Sequence, residues 1–202
     1  MSVPRLPMLS DEDALARAAE VGVSDAAAGL NVYKVWLNQP DVAKWIDGLL
    51  MGLLWNSSFD TRLRELIIMR LGWTTGSVYE WTQHWGIASS WLDVAEEDLF
   101  AVQDWEHSDR FGPAERAVMA AVDDVVRDGS ISADTFEQCR THVSADPAVL
   151  VEMTMTVGTW RMISTVLQSL EVPLEDGVMP WPPEGRGPME PPEAHGPHEG
   201  SQ

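Results

Sequence analysis

A chain of 202 residues with 45% hydrophobic content has enough apolar material for one packed domain with tails. Its 13 Lys and Arg against 32 Asp and Glu leave a formal charge of −19. That balance argues against a nucleic-acid partner, whose phosphates need cationic side chains, and against docking on anionic lipid. The single cysteine, Cys139, excludes a disulfide or dithiol redox centre within one chain.

Residues 1–29 read as a polar lead-in with one short helix over 11–21, closed at Gly22. Met1 to Glu20 contain no apolar stretch behind a basic start, so no secretory signal is visible. No apolar run approaches the roughly 20 residues that cross a bilayer, so a cytoplasmic protein without a membrane partner is expected. Two helical stretches follow, divided by Asn38-Gln39-Pro40, with Pro40 at a first helical position and Asp41 in the first turn. The second places Trp45, Leu49, Gly52 and Leu53 at helical spacing.

Asp60 then caps a helix in which Leu63, Leu66, Ile67 and Leu71 keep an i, i+3, i+4 pattern. Ser77 opens a helix to about Trp91, and Asp93 can cap another to about Trp105. Gly112-Pro113, Ser132 and Asp146-Pro147 begin three more, the last running to Leu170. No run alternates with a period of two, so the fold class is all-α, built of helical hairpins. Pro173 to Gln202 holds eight of the thirteen prolines and can bury little; 176–202 is expected to be a disordered acidic tail. His195 and His198 lie there without ligand-type partners at metal spacing, so no metal site is expected.

The densest chemistry is Glu65 to Arg70 followed by Ser77 to His84. On one helix Ser77, Glu80 and His84 are spaced i, i+3, i+7 and share a face. An antiparallel hairpin turning near Trp73 to Gly76 brings Glu65 toward them. Two carboxylates close together cannot both ionise easily, and a histidine titrates near neutrality. This is equipment for proton transfer beside a carbonyl, decarboxylation or dehydration. Trp55, Trp73, Trp81 and Trp85 are candidate dry walls. A plain alternative stays open: Ser77-x-x-Glu80 is also a capping box, Glu80 and His84 a surface pair, and Glu65 a charge paired with Arg62 or Arg64. Cys139 with Phe136 and Val143 reads as a core filler, and His107 and His142 as surface residues near helix ends.

The segment Arg62-Leu63-Arg64-Glu65-Leu66, with Tyr79, Glu80 and His84, resembles the signature of the carboxymuconolactone decarboxylase-like family, whose helical fold is shared with alkylhydroperoxidase D-type proteins. The resemblance covers about 30–175, where Asn38-Gln39-Pro40, Glu115-Arg116-Ala117 and Leu170-Glu171-Val172-Pro173-Leu174 are similar to family segments. It implies an alkylhydroperoxidase D-like bundle with Glu65, Glu80 and His84 as catalytic residues. Around them Ser77, Tyr79, Trp81, Trp55 and Trp160 are expected to form the substrate pocket. In the hydroperoxidase branch, cysteines stand where this chain has Ser77 and Glu80, so dithiol peroxidase chemistry is not expected.

The implied function is a cofactor-independent lyase or isomerase acting on a small lactone, keto acid or polyketide-like compound. The alternative is a non-catalytic small-molecule-binding or assembly protein that kept the fold. Residues 149–170 are apolar on more than one face, which together with the resemblance implies a homo-oligomer, a trimer or hexamer.

Overall fold

A computed structural model describes residues 4–178 and 180; His195, His198 and most of the expected tail lie outside the described residues. The described residues are helical and contain no strand, as the missing two-residue alternation predicts.

The helices run α1 Asp11–Val21, α2 Asp25–Ala28, α3 Asn31–Trp36, α4 Pro40–Trp55, α5 Thr61–Thr75, α6 Val78–Gly86, α7 Glu96–Ala101, α8 Pro113–Asp128, α9 Ala133–His142 and α10 Pro147–Leu170. The starts follow local chemistry. Asp60 accepts a hydrogen bond from the Leu63 amide, Ser132 from Thr135 and Asp146 from Ala148, each filling a free helix-start donor. Pro40, Pro113 and Pro147 occupy the first turns, where no amide hydrogen is needed.

Several boundaries differ from expectation. The helix expected to reach Trp91 changes at Ile87–Trp91 into a π-helical turn. Asp93 caps nothing, because it sits in the left-handed region (φ 53°), and Ala95 precedes α7 instead. Of the residues at helical spacing in α4, Trp45 is 69% exposed while Leu53 is buried. Ala14, Ala18, Ala27 and Ala28 of α1 and α2 are buried in the main core, where small side chains allow close helix approach.

The helix buried on nearly every side is α5, which packs on α6, α8 and α10. By contrast α10 buries Leu150, Met153, Val157, Trp160, Ile163 and Leu167 and leaves Val151, Met155 and Met162 exposed. A second core gathers Leu66, Met69, Trp81, Trp85, Leu99, Trp105 and Met119. Arg70 locks this region: its guanidinium grips Asp123 at 2.8 and 2.9 Å and donates to the carbonyls of Val102 and Gln103. Trp105 adds an indole bond to Asp123 at 2.9 Å. Such a bidentate pair, with Nη1 also bonded to two carbonyls, fixes α5, α8 and the intervening turn in one geometry.

Candidate active site

The hairpin of α5 and α6 is possible because of two glycines. Gly76 closes α5 in the left-handed conformation (φ 69°), open to glycine without steric cost. Gly72 lets α6 approach closely: a Cβ there would stand 3.1 Å from the Trp81 nitrogen and 3.3 Å from its Cα. This contact sets Glu65 of α5 opposite His84 of α6.

Glu65 is fully buried and held from two sides. Arg64 Nε donates to Glu65 Oε1 at 3.0 Å, while Arg64 Nη1 donates to the Leu54 carbonyl at 2.7 Å. Glu65 Oε2 lies 2.8 Å from His84 Nδ1. An ionised carboxylate only accepts, so Nδ1 carries the hydrogen. His84 Nε2 then accepts from the Trp160 indole N–H at 3.2 Å, and Glu80 Oε2 lies 3.7 Å from the same nitrogen.

The two carboxyls are driven apart. Burial opposes charge on Glu65, but the charge and hydrogen bond of His84, joined by those of Arg64, hold its pKa below the ordinary value. Burial pushes Glu80 up; His84 and a Trp160 hydrogen bond oppose this and the charge of Glu65 adds to it, leaving the pKa raised. Burial alone would lower His84. The charge and hydrogen bond of Glu65, helped by Glu80, outweigh burial and the repulsion of Arg64, so His84 holds its proton more tightly than a free imidazole. The Trp160 N–H favours a bare Nε2, so the ring is drawn toward both states. The result is one ionised carboxylate, one carboxyl biased toward its acid form and an imidazole between them.

Glu80, Gln83 and His84 line a cavity of about 400 Å³ whose other walls are mostly apolar. Trp160, Trp36, Tyr33 and Tyr79 form its sides, and the half-exposed Trp55 and highly exposed Trp91 lie at its opening. Two residues expected in this pocket lie elsewhere. Trp81 is fully buried in the second core, where its ring meets Trp73 and Trp85 at 5.4 and 6.2 Å. Ser77 faces a separate cleft with Leu167, Gln168 and Glu171, because the helix start points it toward α10. Its hydroxyl makes no cap bond, so the capping box does not form and Glu80 turns to His84.

Cys139 is buried on α9 outside this cavity, and burial pushes its thiol up to about 11. His107 is exposed and paired with Asp104, and His142 is exposed at the end of α9. Among the described residues no His, Cys, Asp and Glu cluster could hold a metal ion, and no helix is long and apolar enough to cross a membrane.

Sequence reading missed Gln83, Trp36 and Glu175. Gln83 and Trp36 had no signal beyond helical register. Glu175 was placed at the edge of the tail, yet its carboxylate accepts from the Asn31 amide at 2.9 Å, the Tyr79 hydroxyl at 2.6 Å and the Gln83 amide.

Fold and site together define an all-helical protein with one cysteine and with two glutamates and a histidine gathered in its dry centre. The Carboxymuconolactone decarboxylase family profile matches residues 40–124, so over that segment, from α4 through most of α8, the chain is similar to the family. No curated protein matches the sequence. Among solved structures, an uncharacterized peroxidase-related protein from Ralstonia eutropha JMP134 with an alkylhydroperoxidase AhpD core superposes with a TM-score of 0.67 at 15% identity, covering 87% of this chain and 94% of that one. An uncharacterized peroxidase-related protein from Silicibacter sp. TM1040 gives 0.66 at 15% identity, covering 88% and 92%. A variant of the debrominase Bmp8 in complex with 2,3,4-tribromopyrrole gives 0.64 at 15% identity, covering 87% and 94%. At these identities the likeness establishes the fold. The cysteine pair of dithiol chemistry is absent, since the chain has one cysteine.

Proposed function

We propose that the protein is a cofactor-independent lyase or isomerase that moves a proton beside a carbonyl on a small, ring-bearing molecule. The observation carrying this reading is the Glu65–His84–Glu80 assembly at the wall of an apolar cavity. Glu65 orients His84 and stabilises the imidazolium, as a buried carboxylate does for a catalytic histidine. His84 Nε2 takes the proton from the carbon next to the carbonyl. Glu80, biased toward its acid form, donates to the substrate oxygen as negative charge develops there.

Trp160 has a double part in this scheme. While Nε2 is bare, the indole N–H rests on it. Once Nε2 is protonated it no longer accepts, and the N–H becomes free to bond the enolate oxygen. Returning the proton to a different carbon gives isomerisation, and expelling hydroxide from the position β to the carbonyl, as water once protonated, gives dehydration. Decarboxylation reaches the same enolate directly, when a carboxylate β to the carbonyl leaves as CO₂, its bonding pair passes toward the carbonyl oxygen, and the protonated His84 then delivers a proton to carbon. The tryptophans and tyrosines of the cavity favour a flat, largely apolar substrate, and the tribromopyrrole held by a protein of similar fold supports a small ring.

The test is deuterium exchange. A panel of lactones, cyclic keto acids and small polyketide-like ketones is incubated in D₂O and exchange beside the carbonyl is followed by NMR. Wild type is expected to catalyse exchange or turnover of at least one compound, and Glu80→Gln and His84→Ala to lower the rate by about 10²–10⁴. Equal rates in all three proteins would overturn the proposal, and tight binding with no exchange would turn it to a binding protein.

A further inference from the structure

The chain leaves α10 and folds back over the body of the protein. Val172 is buried, and its amide bonds the Leu167 carbonyl at 3.0 Å. The Asn31 side chain then donates to the carbonyls of Pro173 and Leu174 at 3.3 and 3.1 Å. This delivers Glu175 to the junction of α3 and α6, both of which contribute residues to the cavity lining. Its carboxylate accepts from the first amide of α3, from the hydroxyl of Tyr79 and from the side chain of Gln83. Tyr79 is held twice, since its oxygen also accepts from the Val32 amide at 3.4 Å.

Tyr79 stands between two spaces. One is the cavity of Glu80 and His84; the other, about 630 Å³, lies under the returning segment among Met8, Val78 and Val178. Tyr79 is among the lining residues of both.

We propose that Glu175 is a positioning residue that latches Tyr79 and Gln83 into the cavity wall and so limits the length of the ring system the cavity admits. The inference rests on the reading of the cavity as the ligand site. One carboxylate acts on both walls at once. Without it the α3 amide, the phenol and the Gln83 amide lose a shared charged acceptor, the Tyr79 ring is free to turn, and the two spaces join.

The experiment compares wild type with Glu175→Gln and Glu175→Ala, using calorimetric binding of phenol, 2-naphthol and 9-phenanthrol. Amide hydrogen exchange over 30–37 and 78–86 is measured in parallel. Wild type is expected to bind the one- and two-ring phenols and discriminate against the three-ring one. In Glu175→Ala that discrimination falls about tenfold, and exchange at Asn31 and Val32 rises about tenfold, as the loss of one charge-assisted hydrogen bond implies. Glu175→Gln, which keeps one acceptor and the side-chain volume, falls between. It also serves if the alanine variant does not fold. An unchanged size preference or unchanged exchange, with normal binding, overturns the latch alone. Failure of wild type to bind any of the phenols overturns both the latch and the ring-binding cavity, whatever the exchange shows.

Discussion

Glu65 Oε2 and His84 Nδ1 stand 2.8 Å apart across the α5–α6 hairpin, and the carboxylate has no solvent to fall back on. The link is also thermodynamic: His84 and Arg64 hold the pKa of the glutamate down, and the glutamate raises the proton affinity of the histidine. Glu65→Gln would leave Arg64 buried without its counter-charge. It is expected to lower unfolding free energy by about 3–5 kcal/mol, read by urea denaturation, and to lower the His84 pKa, read by NMR titration.

The pair also sets a pH window. The lowered pKa of Glu65 contributes stability above its ordinary value of 4.5, lost as pH falls through the folded value. The raised pKa of His84 contributes stability below its ordinary 6.5, lost as pH rises through the folded value. The contribution of this pair is therefore greatest between 4.5 and 6.5. In a series of urea midpoints against pH, Glu65→Gln should flatten the limbs on either side.

Glu80 acts with the opposite sign to Glu65. Its raised pKa means that stability is lost as pH rises from the ordinary 4.5 to the folded value, after which the loss is complete. Glu80→Gln keeps the shape of the neutral acid and removes that loss. The variant should be more stable than wild type at neutral pH and equal to it well below 4.5, while losing activity. A variant less stable than wild type at neutral pH would contradict the raised pKa.

Gly72 is the steric hinge of the site. Gly72→Ala gains helix propensity, about 1 kcal/mol, but its Cβ meets the Trp81 backbone at 3.1–3.3 Å, where no flexible side chain can give way. Overpacking of this kind costs about 1–3 kcal/mol. Net destabilisation is expected, together with a longer Glu65–His84 contact visible in a crystal structure and as a lower His84 pKa. A more stable variant with an unchanged pKa would refute this.

Val151, Met155 and Met162 leave an apolar stripe along the outside of α10. We propose that a second copy of the chain covers it in a homo-oligomer, a trimer or hexamer, since exposed apolar stripes favour association. Sedimentation equilibrium at micromolar concentration should give a multiple of 22.4 kDa, and Val151→Glu with Met155→Glu should shift it toward the monomer. A wild-type mass near 22.4 kDa would sink the proposal.

Much of the architecture was legible in the chain. Caps such as Asp60, Ser132 and Asp146, the first-turn prolines and the terminal glycines act within a few residues, so helix ends follow from local chemistry. Helical spacing likewise put Glu80 and His84 on one face of α6, and the two-residue alternation of strands was absent. What local chemistry does not contain is which side of a helix meets which neighbour. Trp81 and Trp160 looked alike as pocket walls, yet one fills the second core and the other meets His84. Ser77 and Glu80 could equally have closed a capping box. Only the approach of α10 and α5 turned Glu80 to His84 and left Ser77 outside the cavity. Glu175, at the edge of an apparent tail, bonds residues 144, 96 and 92 positions away. Contacts at that separation, and the proton affinities they set, arise from packing that excludes water. Local chemistry carries the helices and the chemical types at hand; burial and distance, which exist only in the folded chain, select which carboxyl has its pKa lowered, which has it raised and what closes the cavity.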